Sequence, residues 1–177
     1  MEIPKHEPRW YALHVRPRFE KMVERHLSAR GFETFVPLYR GRHRWSDRVK
    51  EVQVPLFPGY VFCRFDVHHR LPILMIPGVQ SVVGNGKLPC PIDDTQLNDI
   101  RCAISSGLNC EPWPFPMVGQ IVEVDRGALA GVRGTIVTFK KCHRLVLSVN
   151  VLQRAVAVEI DGECVRPVIT DDALALT

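Results

Sequence analysis

The apolar and polar positions change period several times along the chain. Trp10-Tyr11-Ala12-Leu13-His14-Val15 is a nearly continuous apolar run and predicts a buried strand. Arg16-Pro17 ends it, and because proline is favourable at a first helical position, Pro17 is expected to open a helix. Phe19, Met22, Val23 and Leu27 then recur on one helical face, and Gly31 suits the position just past the helix end. Phe32 to Leu38 returns to a strand pattern, and Tyr39 to Lys50 reads as a polar, basic loop. Glu51 to Pro55 and Gly59 to Phe65 read as strands around the turn Phe57-Pro58-Gly59. Asp66 to Ile76 has helical apolar spacing interrupted by Pro72. Gln80 to Val83 is a short strand before the turn Gly84-Asn85-Gly86. Asp93 to Ser105 predicts a helix, with Asp93 as cap, Gln96 completing a capping box, and Leu97, Ile100 and Ile104 as its buried stripe. The order strand, helix, strands, helix, strand, helix predicts an α+β arrangement: an antiparallel sheet with helices on it.

The texture then changes. Ser105-Ser106-Gly107 leads into Pro112-Trp113-Pro114-Phe115-Pro116, where proline at every second position forbids helix and favours extended polyproline backbone. Residues 108–117 therefore read as a semi-rigid linker between an N-terminal domain, 9–107, and a C-terminal domain, 118–168. The second domain is all β in pattern. Gln120 to Val124, Gly134 to Phe139, Leu145 to Val149, Ala155 to Ile160 and Cys164 to Pro167 make five short strands, too few for a sandwich but enough for a small SH3-like barrel. Gly131 and Gly134 read as turn glycines.

Composition adds limits. The 177 residues, 46% hydrophobic and 24% charged, are ordinary for globular protein and exclude disorder over most of the chain. No apolar run is long enough to span a membrane, and the polar stretch Met1 to Arg9 predicts no signal peptide, so a cytoplasmic protein is expected. The six cysteines contain no C-x-x-C step and are expected to be free, buried thiols. The net charge of +4 divides unevenly, +6 over residues 1–50 and −2 over the rest, which either marks a polyanion near the first domain or is a merely soluble basic face.

The usual catalytic signatures are missing: no G-x-S-x-G, H-E-x-x-H, phosphate-binding loop or G-x-G-x-x-G. His68-His69 are adjacent, and neighbouring residues on a helix point about 100° apart, which suits no shared metal. Neither enzyme, cofactor nor metal is expected.

Three stretches, in order, resemble the NusG/RfaH family of transcription elongation and antitermination factors. They are Trp10-Tyr11-Ala12-Leu13, Pro55-Leu56-Phe57-Pro58-Gly59-Tyr60-Val61-Phe62, and Gly119-Gln120-Ile121-Val122-Glu123-Val124 with Gly127 through Val137. The resemblance covers about residues 9–168 and implies an N-terminal NGN domain and a C-terminal KOW barrel. It implies a non-covalent clamp on RNA polymerase that suppresses pausing or modulates termination, and a KOW domain that recruits Rho or a ribosomal small-subunit protein.

Specific residues follow from the resemblance. Phe57, Tyr60 and Phe62 are the implied contact with the polymerase clamp helices. From the residues alone, two readings of these aromatics stay open, an exposed partner patch or the buried face of the sheet. His68, His69 and Arg70 are the implied gate-loop contact, in a segment about two residues shorter than in RfaH. His14, Arg16 and Arg18 are the implied contact with the non-template DNA strand. Two arginines oppose the dipole of a helix N-terminus and fit better if an anion docks there; a solvated face is the alternative. Val151 and Leu152 match the loop pair that meets the KOW partner, although the family often has an aromatic at Leu152. The basic segment Arg40 to Lys50, with Trp45, is either a second nucleic-acid surface or a solvated hairpin tip.

The expected protein is a monomeric, two-domain elongation factor, general or operon-specific. Its KOW domain is expected to rest as a β-barrel, leaving the clamp site open, since Val146, Val149, Val151, Val156, Val158 and Ile160 favour strand. The alternative class is a KOW-containing RNA- or ribosome-binding protein, which would have no need of the first domain.

Overall fold

The computed structural model describes residues 7–45, 48–86, 88–113, 119–139 and 142–168; for 42–45, 48–51, 139 and 142 it describes the backbone. The prolines at 114 and 116 and the loop tip at Ser46-Asp47 lie outside the described residues.

The first apolar run forms β1 (Arg9–Val15), the centre of a four-stranded sheet. The sheet continues with β2 (Glu33–Phe35), β5 (Tyr60–Phe65) and β6 (Val79–Val82) in the order β2-β5-β1-β6, and every pairing is antiparallel. Between β2 and β5 stands the hairpin β3 (Leu38–Trp45) and β4 (Arg48–Pro55). A two-stranded turn follows β6, made of β7 (Gly84–Asn85) and β8 (Leu88–Pro89).

Alternation along β1 and β5 divides the side chains between two faces. Tyr11, Leu13 and Val15 join Val61, Cys63 and Phe65 on one face. Val23 and Leu27 of α1 (Glu20–Ala29) and Ile73 of the one-turn helix α2 (Leu71–Leu74) cover them. Trp10, Ala12 and Phe62 lie on the other face, under Leu97, Ile100 and Ala103 of α3 (Asp94–Ser105).

The C-terminal sheet has six strands: β9 (Cys110–Trp113), β10 (Gln120–Val124), β11 (Arg133–Phe139), β12 (Cys142–Val149), β13 (Arg154–Ile160) and β14 (Val165–Pro167). Their order is β14-β10-β11-β12-β13-β9, all antiparallel. Leu145, Leu147, Val156 and Val158 belong to the same apolar cluster as Phe62, Leu97 and Ile100. α3 also packs beside β12. The N-terminal and C-terminal sheets thus share one continuous core.

The α+β reading and the β form of the second domain hold. Several local expectations change. Helix α1 starts at Glu20, not Pro17, because Arg18 takes a left-handed φ of 69° and turns the chain first. The basic stretch after Tyr39 is the paired hairpin β3–β4, not a loop. Residues 66–76 break into a 3-10 turn, Val67–His69, and α2, with Pro72 in the first turn where its missing N–H costs nothing. Asp93 caps α3, but its carboxylate takes the Thr95 N–H and hydroxyl rather than a box with Gln96.

The extended stretch read as linker supplies a strand, since Cys110–Trp113 pairs with β13. Gly131 does occupy a turn, with φ 85°, whereas Gly134 sits within β11. A Cβ at Gly134 would lie 2.7 Å from the Val146 carbonyl, so close strand approach is what requires glycine there.

Candidate functional site

The turn Phe57-Pro58-Gly59-Tyr60 is built by three backbone and side-chain anchors. Tyr60 N–H donates to the Phe57 carbonyl at 3.1 Å, and Val15 N–H donates to the Gly59 carbonyl at 2.8 Å. Gly59 has φ 84°, a conformation that a side chain would strain. Its N–H donates to Glu20 Oε1 at 2.8 Å, and the Glu20 side chain is buried. The first residue of α1 therefore holds the turn from beneath.

The three aromatics fare differently. Phe57 and Phe62 are 1% and 0% exposed and meet edge to face at 5.5 Å. Phe35 lies 6.1 Å from Phe62. Arg101 of α3 sits 4.8 Å above both the Phe35 and Trp10 rings. Of the two readings open for these aromatics, the buried face of the sheet is the one Phe57 and Phe62 follow. The second sheet face is closed by α3, in a core that continues into the barrel. Tyr60 is only half-buried.

Tyr60 pairs across the sheet with His14, which pairs on its other side with Ser81. The His14 and Tyr60 rings are 5.5 Å apart and tilted. His14 is exposed, as are Arg16 and Arg18 in the turn before α1. One implied clamp residue and one implied DNA residue thus form a single aromatic pair on the sheet surface.

His68 and His69 lie on the 3-10 turn with Arg70 directly after it, and all three are exposed. Asp66 organises them: Oδ1 accepts the His68 N–H at 2.9 Å, and Oδ2 lies 2.9 Å from His69 Nδ1. The His68 N–H, more than the His69 ring, holds the Asp66 carboxyl below the usual carboxylate range. Val151 and Leu152 form the 3-10 turn between β12 and β13, where Leu152 is buried and Val151 packs partly against the shared core.

A family model described as "Transcription termination factor nusG" matches residues 8–101, just over half of the chain. The chain belongs to the NusG family. It is 25% identical over 173 residues to the transcription termination/antitermination protein NusG of Helicobacter pylori, covering 85% of this chain and 93% of that one. It is 25% identical over 167 residues to the NusG protein of Lactococcus lactis subsp. lactis, covering 86% and 89%. The solved structure described as "Domain interaction in Thermotoga maritima NusG" has the same fold, with a TM-score of 0.54, 19% identity, and 92% and 98% of the two chains covered. This is a NusG-family transcription termination/antitermination factor.

Several residues of this region escape a sequence reading. Glu20 looks like an ordinary first-turn acid, and nothing local signals its reach to Gly59. Leu71 and Met75, within the stretch Asp66 to Ile76 of helical apolar spacing, are 69% and 78% exposed beside His68–Arg70. Among the described side chains five cysteines are free, with Cys63 and Cys110 buried but Cys102 exposed, so the expectation of buried thiols is corrected there. Burial pushes the Cys63 thiol up to about 12 and makes it inert. Among the described residues no cluster of three metal-binding side chains forms, and no helix is long and apolar enough to cross a membrane.

The domain contact carries a titratable group. Asp99 on α3 is pushed up to about 6, chiefly by burial, with Arg133 of β11 pulling down and Asp93 pushing up. Its pKa in the unfolded chain is near 3.8, so the folded state favours the protonated acid. The stability this provides is full below about pH 4 and is lost as pH rises through 6. Asp99→Asn is therefore expected to stabilise the protein at pH 7 by about 1 kcal/mol, after discounting for solvent that still reaches the carboxyl, and to give no gain at pH 4. Urea titrations at the two pH values measure this; an equal effect at both would place Asp99 in solvent.

Proposed function

We propose that this NusG-family chain binds RNA polymerase through its N-terminal domain. The contact is made along the sheet surface around Tyr60 and His14, and it suppresses pausing or modulates termination. The single observation that carries this reading is the Tyr60–His14 pair, held on a turn that Glu20 braces and flanked by exposed Arg16 and Arg18. A half-buried aromatic on a braced turn loses little freedom on binding, which is what an interface anchor needs. In this reading the clamp helices take Tyr60, with Phe57 and Phe62 reached when the barrel leaves the shared core. The gate loop meets His68, His69 and Arg70, with Leu71 and Met75 adding apolar surface, and the non-template DNA strand passes His14, Arg16 and Arg18. Val151 and Leu152 meet the KOW partner, Rho or a ribosomal small-subunit protein.

Tyr60→Ala in the full chain is expected to weaken binding to core RNA polymerase by at least tenfold, the loss of one aromatic anchor. Arg16→Ala with Arg18→Ala is expected to flatten the salt dependence of binding to a transcription complex containing single-stranded DNA. Fluorescence titration of both variants, with folding checked by circular dichroism, measures each effect. An unchanged affinity for Tyr60→Ala overturns the clamp assignment, and an unchanged salt slope overturns the DNA assignment.

A further inference from the structure

The residues between the domains make a more specific structure than a spacer needs. β9 adds to the free edge of β13, with Trp113 opposite Ala155 and Glu111 opposite Ala157. Alternation places these residues on the sheet face opposite Leu145, Leu147, Val156 and Val158. On that face Val146, Ala155 and Ala157 are 0%, 3% and 0% exposed and form a separate apolar cluster against which Trp113 packs. Two alanines leave the room that the indole fills.

A charged group stands next to this seat. Arg144 of β12 is opposite Glu159 of β13, and its side chain is 12% exposed. Its Nη1 lies 2.9 Å from Glu111 Oε1 and its Nη2 3.7 Å from Glu159 Oε2. Yet neither Nη1 nor Nε makes an aligned hydrogen bond, although both atoms are buried. The Glu111 carboxylate is close enough for attraction but out of line, so it leaves donor capacity of the guanidinium unused. Pro112, which has no N–H, stands between Glu111 and Trp113 on a strand that ends the sheet, as proline on an edge strand does.

We infer that β9 occupies, in cis, a peptide-binding site of the barrel: an added-strand groove along β13 made of the β13 backbone edge, the Val146–Ala155–Ala157 seat and Arg144. The occupant it fits in trans is an extended segment of a partner protein with an acidic residue followed two positions later by an aromatic one. The chemistry of that segment is read from the chain's own occupant: Glu111 supplies the carboxylate, Trp113 the ring, and the β13 backbone the hydrogen bonds. A carboxylate lying in the guanidinium plane would satisfy Arg144 better than Glu111 does, so an outside segment has an energetic reason to displace β9. This site is separate from the turn at Val151 and Leu152 and does not depend on the polymerase reading.

The test uses the full chain and a fluorescent peptide carrying residues 106–113 with Cys110→Ala. Glu111→Gln with Trp113→Ala should vacate the groove, and this variant is expected to bind the peptide at least tenfold more tightly than the unmodified chain. Adding Arg144→Gln should remove most of that gain. A peptide with both its Glu and its Trp replaced by alanine should not bind. Should the double variant fail to fold by circular dichroism, Glu111→Lys, which repels Arg144 and leaves the seat intact, replaces it. A folded, vacated chain that binds the peptide no better than the unmodified one overturns the proposal, as does binding that Arg144→Gln leaves unchanged. A vacated or unmodified chain that instead dimerises by light scattering, with β13 amides still protected from exchange, assigns the groove to a second copy and also overturns it.

Discussion

Phe62→Ala is expected to lower the unfolding free energy by about 3–5 kcal/mol, the usual cost of removing a fully enclosed aromatic ring. Phe62 has no exposed surface and contacts Phe57 edge to face and Phe35 at its side. Little around it can collapse into the space, since β1, β5 and α3 are each fixed by other contacts. Tyr60→Ala, two residues before it but half-buried, is expected to cost about 1 kcal/mol. The comparison separates two meanings of the F-P-G-Y-V-F segment. One residue holds the core together, and its neighbour on the same face keeps part of its ring at the surface. Urea denaturation of the two variants measures the difference. A cost below about 1 kcal/mol for Phe62→Ala would mean that the ring is open to solvent and that the two domains do not share this core.

Glu20→Ala is expected to cost about 2 kcal/mol, because it leaves the Gly59 N–H without its acceptor. The bond is charge-assisted and enclosed, which places it at the stronger end for hydrogen bonds. Glu20→Gln keeps an acceptor at the same reach and should recover about half of the loss. The consequence extends beyond stability. The Gly59 turn sets where β5 begins, and therefore where Tyr60 meets His14. The Gly59 amide resonance should move in Glu20→Ala, and the His14 and Tyr60 ring signals with it. A variant with full stability and an unmoved Gly59 amide would show that the turn needs no brace from α1.

Elements whose causes are local were legible along the chain. The β1 run, the Phe19–Leu27 face of α1, Gly31 with φ 83° after that helix, and the Asp93 cap all act within a few residues of where they are written. The five barrel strands declared themselves by β-branched residues and turn glycines. Boundaries slipped where one backbone angle decided them, as at Arg18, since arginine carries no sign of a left-handed φ. The hairpin β3–β4 was legible only in part: Glu51 to Pro55 reads as a strand, but the stretch Arg40 to Lys50 is mostly polar and basic, and strand pairing there comes from backbone register rather than from an apolar pattern.

The sequence by itself determined the two-part α+β and β design, the aromatic turn, and a resemblance that the family match bears out. The tertiary structure alone decided which of the residues implied by that resemblance are exposed and which are enclosed. Alternation assigns Tyr60 and Phe62 to one face of a strand, but their burial depends on how far α3 and the barrel extend over that face. The same holds for Glu20 and Gly59, 39 positions apart, and for Arg144 and Glu111, brought together by strands that meet only on folding. Helical and strand periods report on neighbours within one element. Contacts across elements depend on chain closure, and no period in the residues records them.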